Sequence, residues 1–324
     1  MSTAIAHINQ IKRLENARIY YPAFQRAMDK LARAHQLSLE GAAPRNLLLL
    51  GPSGAGKSTT LETYRRQHPS EELAENRRIP VLYVRVPAAP TMRSFAEEIL
   101  IAIGEPMYSS GTTTEKTARI VRLLKACQVE MVMIDEFHHF LDRGKRASAT
   151  DVSEWMKVLI DTLRIPVVLA GLPQSEELLR INEQLRRRFA AHCLLAPLEL
   201  EQGDGQSEFA DVVFSLDPLT GENGTSGLAT SELLPRLHYA TNGLIGYLSR
   251  LLVTATEIRL AGNYRQIEPW MLEQAFTEAI WSGGTGKLNP FNPAFVFRRL
   301  NKRGEPFEPT VFNSPRHRPK PASQ

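Results

Sequence analysis

The segment Gly51-Pro52-Ser53-Gly54-Ala55-Gly56-Lys57-Ser58 constrains the fold more than any other part of the chain. It follows a short apolar run at 46–50 and opens a helix that the pattern predicts over Lys57–Gln67. Glycines at these positions let successive backbone N–H groups turn onto phosphate oxygens, and the start of the helix adds a partial positive charge. The pattern therefore predicts a phosphate-binding loop between a strand and a helix.

The loop also carries the groups that would bind a nucleotide. We expect the Lys57 ammonium to bridge the β- and γ-phosphates and the Ser58 hydroxyl to ligate Mg²⁺. ATP and Mg²⁺ are the predicted cofactors. The predicted cofactor-binding residues are Gly51, Pro52, Ser53, Gly54, Ala55, Gly56, Lys57, Ser58, Thr59 and Asp135.

Asp135 ends a further apolar run, 131–135, and Glu136 follows it; the two residues lie 78 and 79 positions after Lys57. We expect Asp135 to hold Mg²⁺, and Glu136 to polarise a water for in-line attack on the γ-phosphate. Because metabolic kinases do not need such a glutamate, the pair predicts ATP hydrolysis. His138 and His139 follow directly, and no metal site is expected there because neighbouring helical residues point apart.

Strand-length apolar runs alternate with helix-length segments, which predicts an α/β fold with a parallel sheet flanked by helices. The predicted strands after the first are 81–86, 131–135, 167–170 and 193–198, and the helices are 57–67, 94–103, 115–127, 152–163 and 175–188. The segment 199–231 is polar and Gly-rich, and helices follow at 232–261 and 268–281. We therefore divide the chain into an N-terminal helical segment (1–44), an ATPase domain (45–198), a helical lid (199–282) and a tail (283–324).

The tail holds eight Lys and Arg against two Glu, a net charge of +6, while the whole chain has +4 and the remainder is slightly acidic. It also contains seven prolines and five phenylalanines, including Phe291, Phe295, Phe297, Phe307 and Phe312. Two interpretations stay open: a solvated disordered end, or an extended arm that docks on a partner through aromatic anchors.

Two cysteines and no long apolar stretch favour a protein of the reducing cytoplasm without a membrane span. Arg186, Arg187 and Arg188 end a predicted helix, where cations complement the helix dipole. Alternatively, one of them is an arginine finger that reaches the γ-phosphate bound by a neighbouring subunit, and all three are candidate catalytic residues.

With both phosphate elements, the arginine run and a helical lid, the chain resembles AAA+ ATPases, and more specifically the TniB/TnsC family of transposition regulators. The resemblance covers about 20–282. Its segments are 44–51, running into the phosphate loop, 134–141 (IDEFHHFL), 161–171 (DTLRIPVVLAG), 184–189 (QLRRRF) and 242–248 (NGLIGYL).

The resemblance implies an ATP-dependent protein that assembles into rings or helical filaments around duplex DNA. It also implies two partners, a DDE-type transposase and a target-selection protein, which is a TniQ-like adaptor or an RNA-guided complex. The implied DNA contacts are Arg93, Thr112, Thr113, Thr114, Lys116 and Arg119.

Two departures from the AAA+ pattern concern the nucleotide sensors. After the fourth strand only Gln174 and Ser175 are candidates for the polar sensor, and the lid helix begins Leu244-Ile245-Gly246, with Arg250 later. These departures predict slow hydrolysis. The resemblance implies that DNA stimulates this hydrolysis and that it times disassembly. Two alternatives remain, a helicase loader of the same superfamily and a P-loop phosphotransferase. Glu136, the arginine run and the lid argue against the phosphotransferase.

Overall fold

The computed structural model describes residues 2–73, 77–88, 90–141, 146–200, 207–222 and 224–309. Its contacts divide the chain into two compact units. The first, the sheet unit, comprises residues 18–198. The second, the helical unit, combines the first 17 residues with the chain from residue 199 onward.

The strands of the sheet unit are β1 (Leu47–Leu50), β2 (Glu71–Glu72), β3 (Arg77–Arg78), β4 (Val81–Arg85), β5 (Met131–Asp135), β6 (Val167–Gly171) and β7 (Ala191–Leu194). Five of them form a parallel sheet in the spatial order β4-β5-β6-β1-β7, and β2 and β3 form a separate antiparallel pair. All residues of β1, β5 and β6 are buried, which explains why these strands are continuous apolar runs. The parallel sheet predicted from the sequence is confirmed.

Seven helices accompany the sheet among the described residues of this unit. They are α2 (Pro22–Leu39), α3 (Lys57–Gln67), α4 (Met92–Ile103), α5 (Thr113–Ala126), α6 (Arg146–Leu163), α7 (Glu176–Ile181) and α8 (Glu183–Arg188). The single helix predicted at 175–188 is two helices, because Asn182 takes an extended conformation. Its side chain accepts a hydrogen bond of 3.0 Å from the Leu185 N–H and so begins α8.

The helical unit contains α1 (Ser2–Glu15), α9 (Glu208–Leu216), α10 (Leu233–Thr241), α11 (Ile245–Ala261) and α12 (Pro269–Ala279). The helix predicted at 232–261 is interrupted where Asn242 and Gly243 take positive φ values of 50° and 68°. Left-handed backbone at this point ends α10. Helix α9 was not predicted, since its neighbourhood is polar and Gly-rich.

The N-terminal segment predicted as 1–44 is divided between the units: α1 belongs to the helical unit and α2 to the sheet unit. The amide of Gln10 in α1 donates hydrogen bonds of 2.9 Å to the carbonyls of Leu219 and Gly221. These bonds, together with contacts to α11, fix α1 to residues more than 200 positions away.

The described part of the tail, 283–309, packs within the helical unit instead of extending as an arm. Phe291, Phe295 and Leu300 are buried, and Arg236 of α10 donates hydrogen bonds to the carbonyls of Pro290 and Asn292. Apolar side chains of the tail are buried in the helical unit, and the composition of the tail alone does not predict this packing. Phe312 and the basic residues Arg316, Arg318 and Lys320 lie outside the described residues.

Candidate nucleotide-binding site

The predicted phosphate loop joins β1 to α3 with a backbone that requires glycine. Gly54 and Gly56 have φ values of 79° and 92°, in the left-handed region, and Gly56 precedes the first residue of α3. A side chain at Gly51 would place its Cβ 2.5 Å from the carbonyl oxygen of Leu195. The N–H groups of Gly51 and Ala55 are bonded to the carbonyls of Gly171 and Pro52, while the loop leads directly into the N-terminus of α3, where an anion is favoured.

Lys57 is buried and its ammonium is held by the loop itself. Nζ donates hydrogen bonds to the carbonyls of Gly51 at 2.8 Å and Pro52 at 2.9 Å. Burial lowers the pKa of Lys57, and the carboxylates of Glu136 and Asp135 oppose that shift. The structure thus brings Lys57 within electrostatic range of both predicted acidic residues. Ser58 and Thr59 follow it in the first turn of α3 and are partly buried.

Asp135 is fully buried at the carboxyl end of β5, and both of its oxygens accept hydrogen bonds. Oδ1 accepts from the backbone N–H of Glu136 at 2.8 Å, and Oδ2 accepts from the Tyr83 hydroxyl at 2.8 Å. Burial and the neighbouring Asp135 carboxylate raise the pKa of Tyr83, so its hydroxyl remains a donor. A fixed, buried carboxylate at this place suits a Mg²⁺ ligand.

Sequence reasoning missed Tyr83, although the sequence held a signal for it. Tyr83 and Arg85 are polar-tipped residues at alternate positions of an otherwise apolar strand, and β4 pairs with β5 so that Arg85 lies opposite Asp135. The Arg85 guanidinium donates to the Tyr83 hydroxyl at 3.4 Å. Residues at alternate positions of a strand lie on the same face of the sheet, so Tyr83 and Arg85 form one polar face beside the acidic end of β5.

Glu136 has left-handed backbone, with φ 57° and ψ 34°, and its side chain is 30 % exposed. Its Oε2 lies 3.3 Å from Nδ1 of His138, and the ring centroids of His138 and His139 are 4.6 Å apart. Ligand atoms of these three residues lie within 4.8 Å of one another. The expectation that the two histidines point apart is therefore wrong, because they occupy a tight turn of 3₁₀ helix.

The candidate sensor residues lie just after β6. The side-chain oxygens of Gln174 and Ser175 are buried, and neither has a hydrogen-bond partner among the described residues. Ser175 adjoins Gly171, where an added Cβ would lie 2.2 Å from the Ser175 Oγ. In the helical unit, the Arg250 guanidinium covers the ring of Tyr247 at 5.6 Å.

The three arginines at the end of α8 differ in their surroundings. Arg188 makes two hydrogen bonds to Asp161, of 2.8 and 2.7 Å, and Arg187 pairs with Glu183 on the surface. Arg186 is exposed, and its guanidinium has no hydrogen bond or ion pair with any residue that the structure describes. Arg186 is thus the one of the three that can reach another molecule without breaking a contact.

The predicted DNA contacts lie around the start of α5, with one correction. Lys116 is fully buried: its Nζ donates to the carbonyls of Tyr108 and Ser110 and pairs with Glu97 at 3.2 Å. All three ammonium protons are used internally, so the prediction that Lys116 contacts DNA is wrong for this structure.

The other candidates are more accessible. The side chain of Arg93 is 59 % exposed, and Thr112 and Thr114 are exposed at the start of α5. Thr113 is partly buried, and Arg119 donates to the carbonyl of Met107 at 2.7 Å. These residues form a short polar surface beside the loop that precedes α5.

Comparison with solved structures identifies the fold. The chain is similar to the Aeropyrum pernix ORC1 protein in complex with DNA, with a TM-score of 0.61, 16 % identity, and coverage of 83 % of this chain and 69 % of that one. It is also similar to Cdc6p from Pyrobaculum aerophilum (TM-score 0.61, 15 % identity, 81 % and 68 % covered) and to Aeropyrum pernix ORC2 in ADPNP-ADP complexes (0.59, 16 %, 82 % and 71 %). These likenesses show the AAA+ fold.

Family membership comes from a separate comparison. No curated protein matches the chain. The model of the bacterial TniB protein family matches residues 8–196, which include the phosphate loop, the Asp135-Glu136 pair and the arginine run. The chain therefore belongs to the TniB family.

Proposed function

We propose that this protein is an ATP-dependent AAA+ regulator of DNA transposition, which assembles on duplex target DNA and links target-site selection to a DDE-type transposase. The observation that carries the proposal is the TniB family match, which spans the phosphate loop and the Asp135-Glu136 pair. ATP hydrolysis would time the disassembly of the complex.

The residues of the sheet unit suit ATP hydrolysis that needs Mg²⁺. Bound Mg²⁺ would neutralise charge on the β- and γ-phosphates. The loop N–H groups and Lys57 bind and orient the phosphates, and Ser58 and Asp135 supply oxygens to the metal. Glu136 accepts a proton from the water whose oxygen attacks the γ-phosphorus, as the bond to the β-phosphate oxygen breaks.

Assembly into a ring or a filament gives Arg186 a role. An exposed guanidinium at the end of α8 is suited to reach the γ-phosphate bound by a neighbouring copy, where it would stabilise the charge of the transition state. Hydrolysis would then depend on assembly. This agrees with the slow hydrolysis expected from the departures at the sensor positions.

Arg93, Thr112, Thr114 and Arg119 are the surface that we propose for DNA. The contacts would be to phosphate and independent of sequence. Because the chain outside its tail is slightly acidic, we expect DNA binding to need many subunits, each of which makes a few contacts. The structure of the similar Aeropyrum pernix ORC1 protein is a complex with DNA, which is consistent with this use of the fold.

The decisive experiment is electron microscopy of the protein with a non-hydrolysable ATP analogue, with and without duplex DNA. Rings or filaments that need both ligands support the proposal, and monomers under every condition contradict it. Co-purification of the assembled complex with a DDE-type transposase supports a role in transposition, whereas co-purification with a replicative helicase supports helicase loading. Stimulation of ATP hydrolysis by small acceptors instead of DNA would favour a phosphotransferase.

A further inference from the structure

The helical unit has a cavity of its own, lined by residues of α1 and of the end of α11. Its volume is about 330 Å³, within the range of sites for small molecules. Arg259, Gln10, His7, Asn263 and Tyr264 are among the lining residues, so the wall is rich in hydrogen-bond donors.

Arg259 is the unusual member of this wall, because its charge is buried without a carboxylate partner. The residue is 2 % exposed, and its terminal nitrogens donate to two neutral groups, the carbonyl of Tyr264 at 2.7 Å and Oε1 of Gln10 at 2.8 Å. Among the described residues it makes no ion pair, and its buried Nε has no hydrogen-bond partner. A buried, unpaired charge with an orphaned donor is costly unless an anion completes it.

The carboxylate within electrostatic range does not neutralise Arg259. Glu222 also lines the cavity, but its side chain is 59 % exposed and faces Arg265 at 3.9 Å. The wall therefore keeps a surplus of donors. Guanidinium groups prefer phosphate and carboxylate oxygens, which accept their parallel N–H bonds.

The cavity is larger than an oxyanion, and an aromatic side chain lies at its edge. Tyr264 is 47 % exposed, and its ring meets that of Trp270 edge to face with centroids 5.8 Å apart. We propose that this cavity binds a phosphate-bearing small molecule, whose phosphate pairs with Arg259 and whose organic part lies against Tyr264. The site is separate from the phosphate loop, since every lining residue belongs to the helical unit.

The test titrates full-length protein with inorganic phosphate and with AMP. Both titrations are repeated on Lys57→Ala, which removes the cation of the phosphate loop, so that binding retained in this variant belongs to the cavity. Calorimetry measures binding. Saturable binding of either probe is expected. Tighter binding of AMP identifies a nucleotide ligand, and equal binding identifies the phosphate alone as the recognised group.

Two variants and a matched control decide the site. Arg259→Gln should weaken binding by about tenfold to a hundredfold, the loss expected for a charged hydrogen bond. Asn263→Asp adds a repelling carboxylate at an exposed position whose φ of 54° suits Asp as well as Asn, so the fold is kept. It should also weaken binding, whereas Asn301→Asp, an exposed position outside the lining, should not. Absence of binding of both probes, or binding that Asn263→Asp leaves unchanged, overturns the proposal.

Discussion

The hydroxyl of Tyr83 donates a hydrogen bond of 2.8 Å to Oδ2 of Asp135, across two neighbouring strands and 52 positions of sequence. Since Asp135 is fully buried, this bond fixes the orientation of the carboxylate that we assign to Mg²⁺. We therefore expect Tyr83 to act as a positioning residue for Mg²⁺ binding, through its hydrogen bond to Asp135.

Tyr83→Phe should raise the Mg²⁺ concentration needed for half-maximal ATP hydrolysis by about tenfold, a loss typical of residues that orient metal ligands. Turnover at saturating Mg²⁺ should change less. Steady-state rates over a Mg²⁺ titration measure both. Tyr108→Phe, at an exposed tyrosine of the same unit, serves as the control, and equal Mg²⁺ curves for the two variants would refute the positioning role.

Glu136→Gln should separate nucleotide binding from hydrolysis. We expect turnover to fall about 10²- to 10⁴-fold, because a positioned general base contributes that much, while ATP affinity stays within a few-fold. Lys57→Ala should lose affinity itself, because it removes the cation of the loop. Phosphate release and binding of a fluorescent ATP analogue distinguish the two, and full turnover in Glu136→Gln would exclude Glu136 as the base.

Arg186→Ala should reduce turnover by about 10³-fold or more if the residue completes the site of a neighbouring subunit. Arg187→Ala, on the same short helix, is the matched control, because its ion pair with Glu183 is exposed and contributes little. Mixing Arg186→Ala with Lys57→Ala protein tests the subunit relationship: the first supplies an intact phosphate loop and the second an intact arginine. Failure of the mixture to regain activity would argue against a contribution in trans.

Lys116→Met should lower the free energy of unfolding by about 2–4 kcal/mol, because it leaves Glu97 and two carbonyls without their buried donor. Lys125→Met, on the exposed face of the same helix, should cost less than about 0.5 kcal/mol. Urea denaturation compares them. A Lys116 variant of unchanged stability with weakened DNA binding would restore the sequence-based assignment.

His35 makes stability depend on pH. Burial lowers the pKa of His35, although Glu130 opposes the shift. The folded chain therefore takes up this proton at a lower pH than the unfolded chain, in which a His titrates at about 6.5. The stability that the folded chain gains from a neutral His35 is present above about pH 6.5, and it is lost as the pH falls toward the pKa of His35 in the folded state. The ring contacts Tyr64, His68 and Glu130, and Arg78 binds the far side of Glu130.

His35→Gln keeps a hydrogen-bonding side chain and removes the titration. Denaturation at about pH 7.5 and about pH 5.5 should show a larger loss of stability in the wild type than in this variant. Equal losses in the two proteins would assign the pH dependence to other groups.

Local signals predicted those elements whose boundaries are set by one residue. Helix α3 begins after a left-handed glycine and β5 ends at a carboxylate, and both were predicted to the residue. The break at Asn182 was missed, because a capping side chain there interrupts a periodicity that continues across it. The burial of Lys116 had a signal that charge concealed: it shares a helical face with Ile120 and Leu124, four and eight positions on. The choice among three arginines depends on Glu183 and Asp161, partners that spacing alone does not reveal.

Among the helices that the structure describes, none combines the length and apolar character that a bilayer crossing needs.

Helix α1 is synthesised before the other helices of its unit, yet it completes its packing late. The hydrogen bond from Arg259 to Gln10 spans 249 positions, and the whole sheet unit lies between its two ends. All residues of the sheet unit are synthesised before α11, whereas α1 must wait for α11. Contacts this distant in sequence slow folding, since a long loop closes before they form. During translation, the amino-terminal helix is therefore exposed to other molecules for longer than any other helix of its unit.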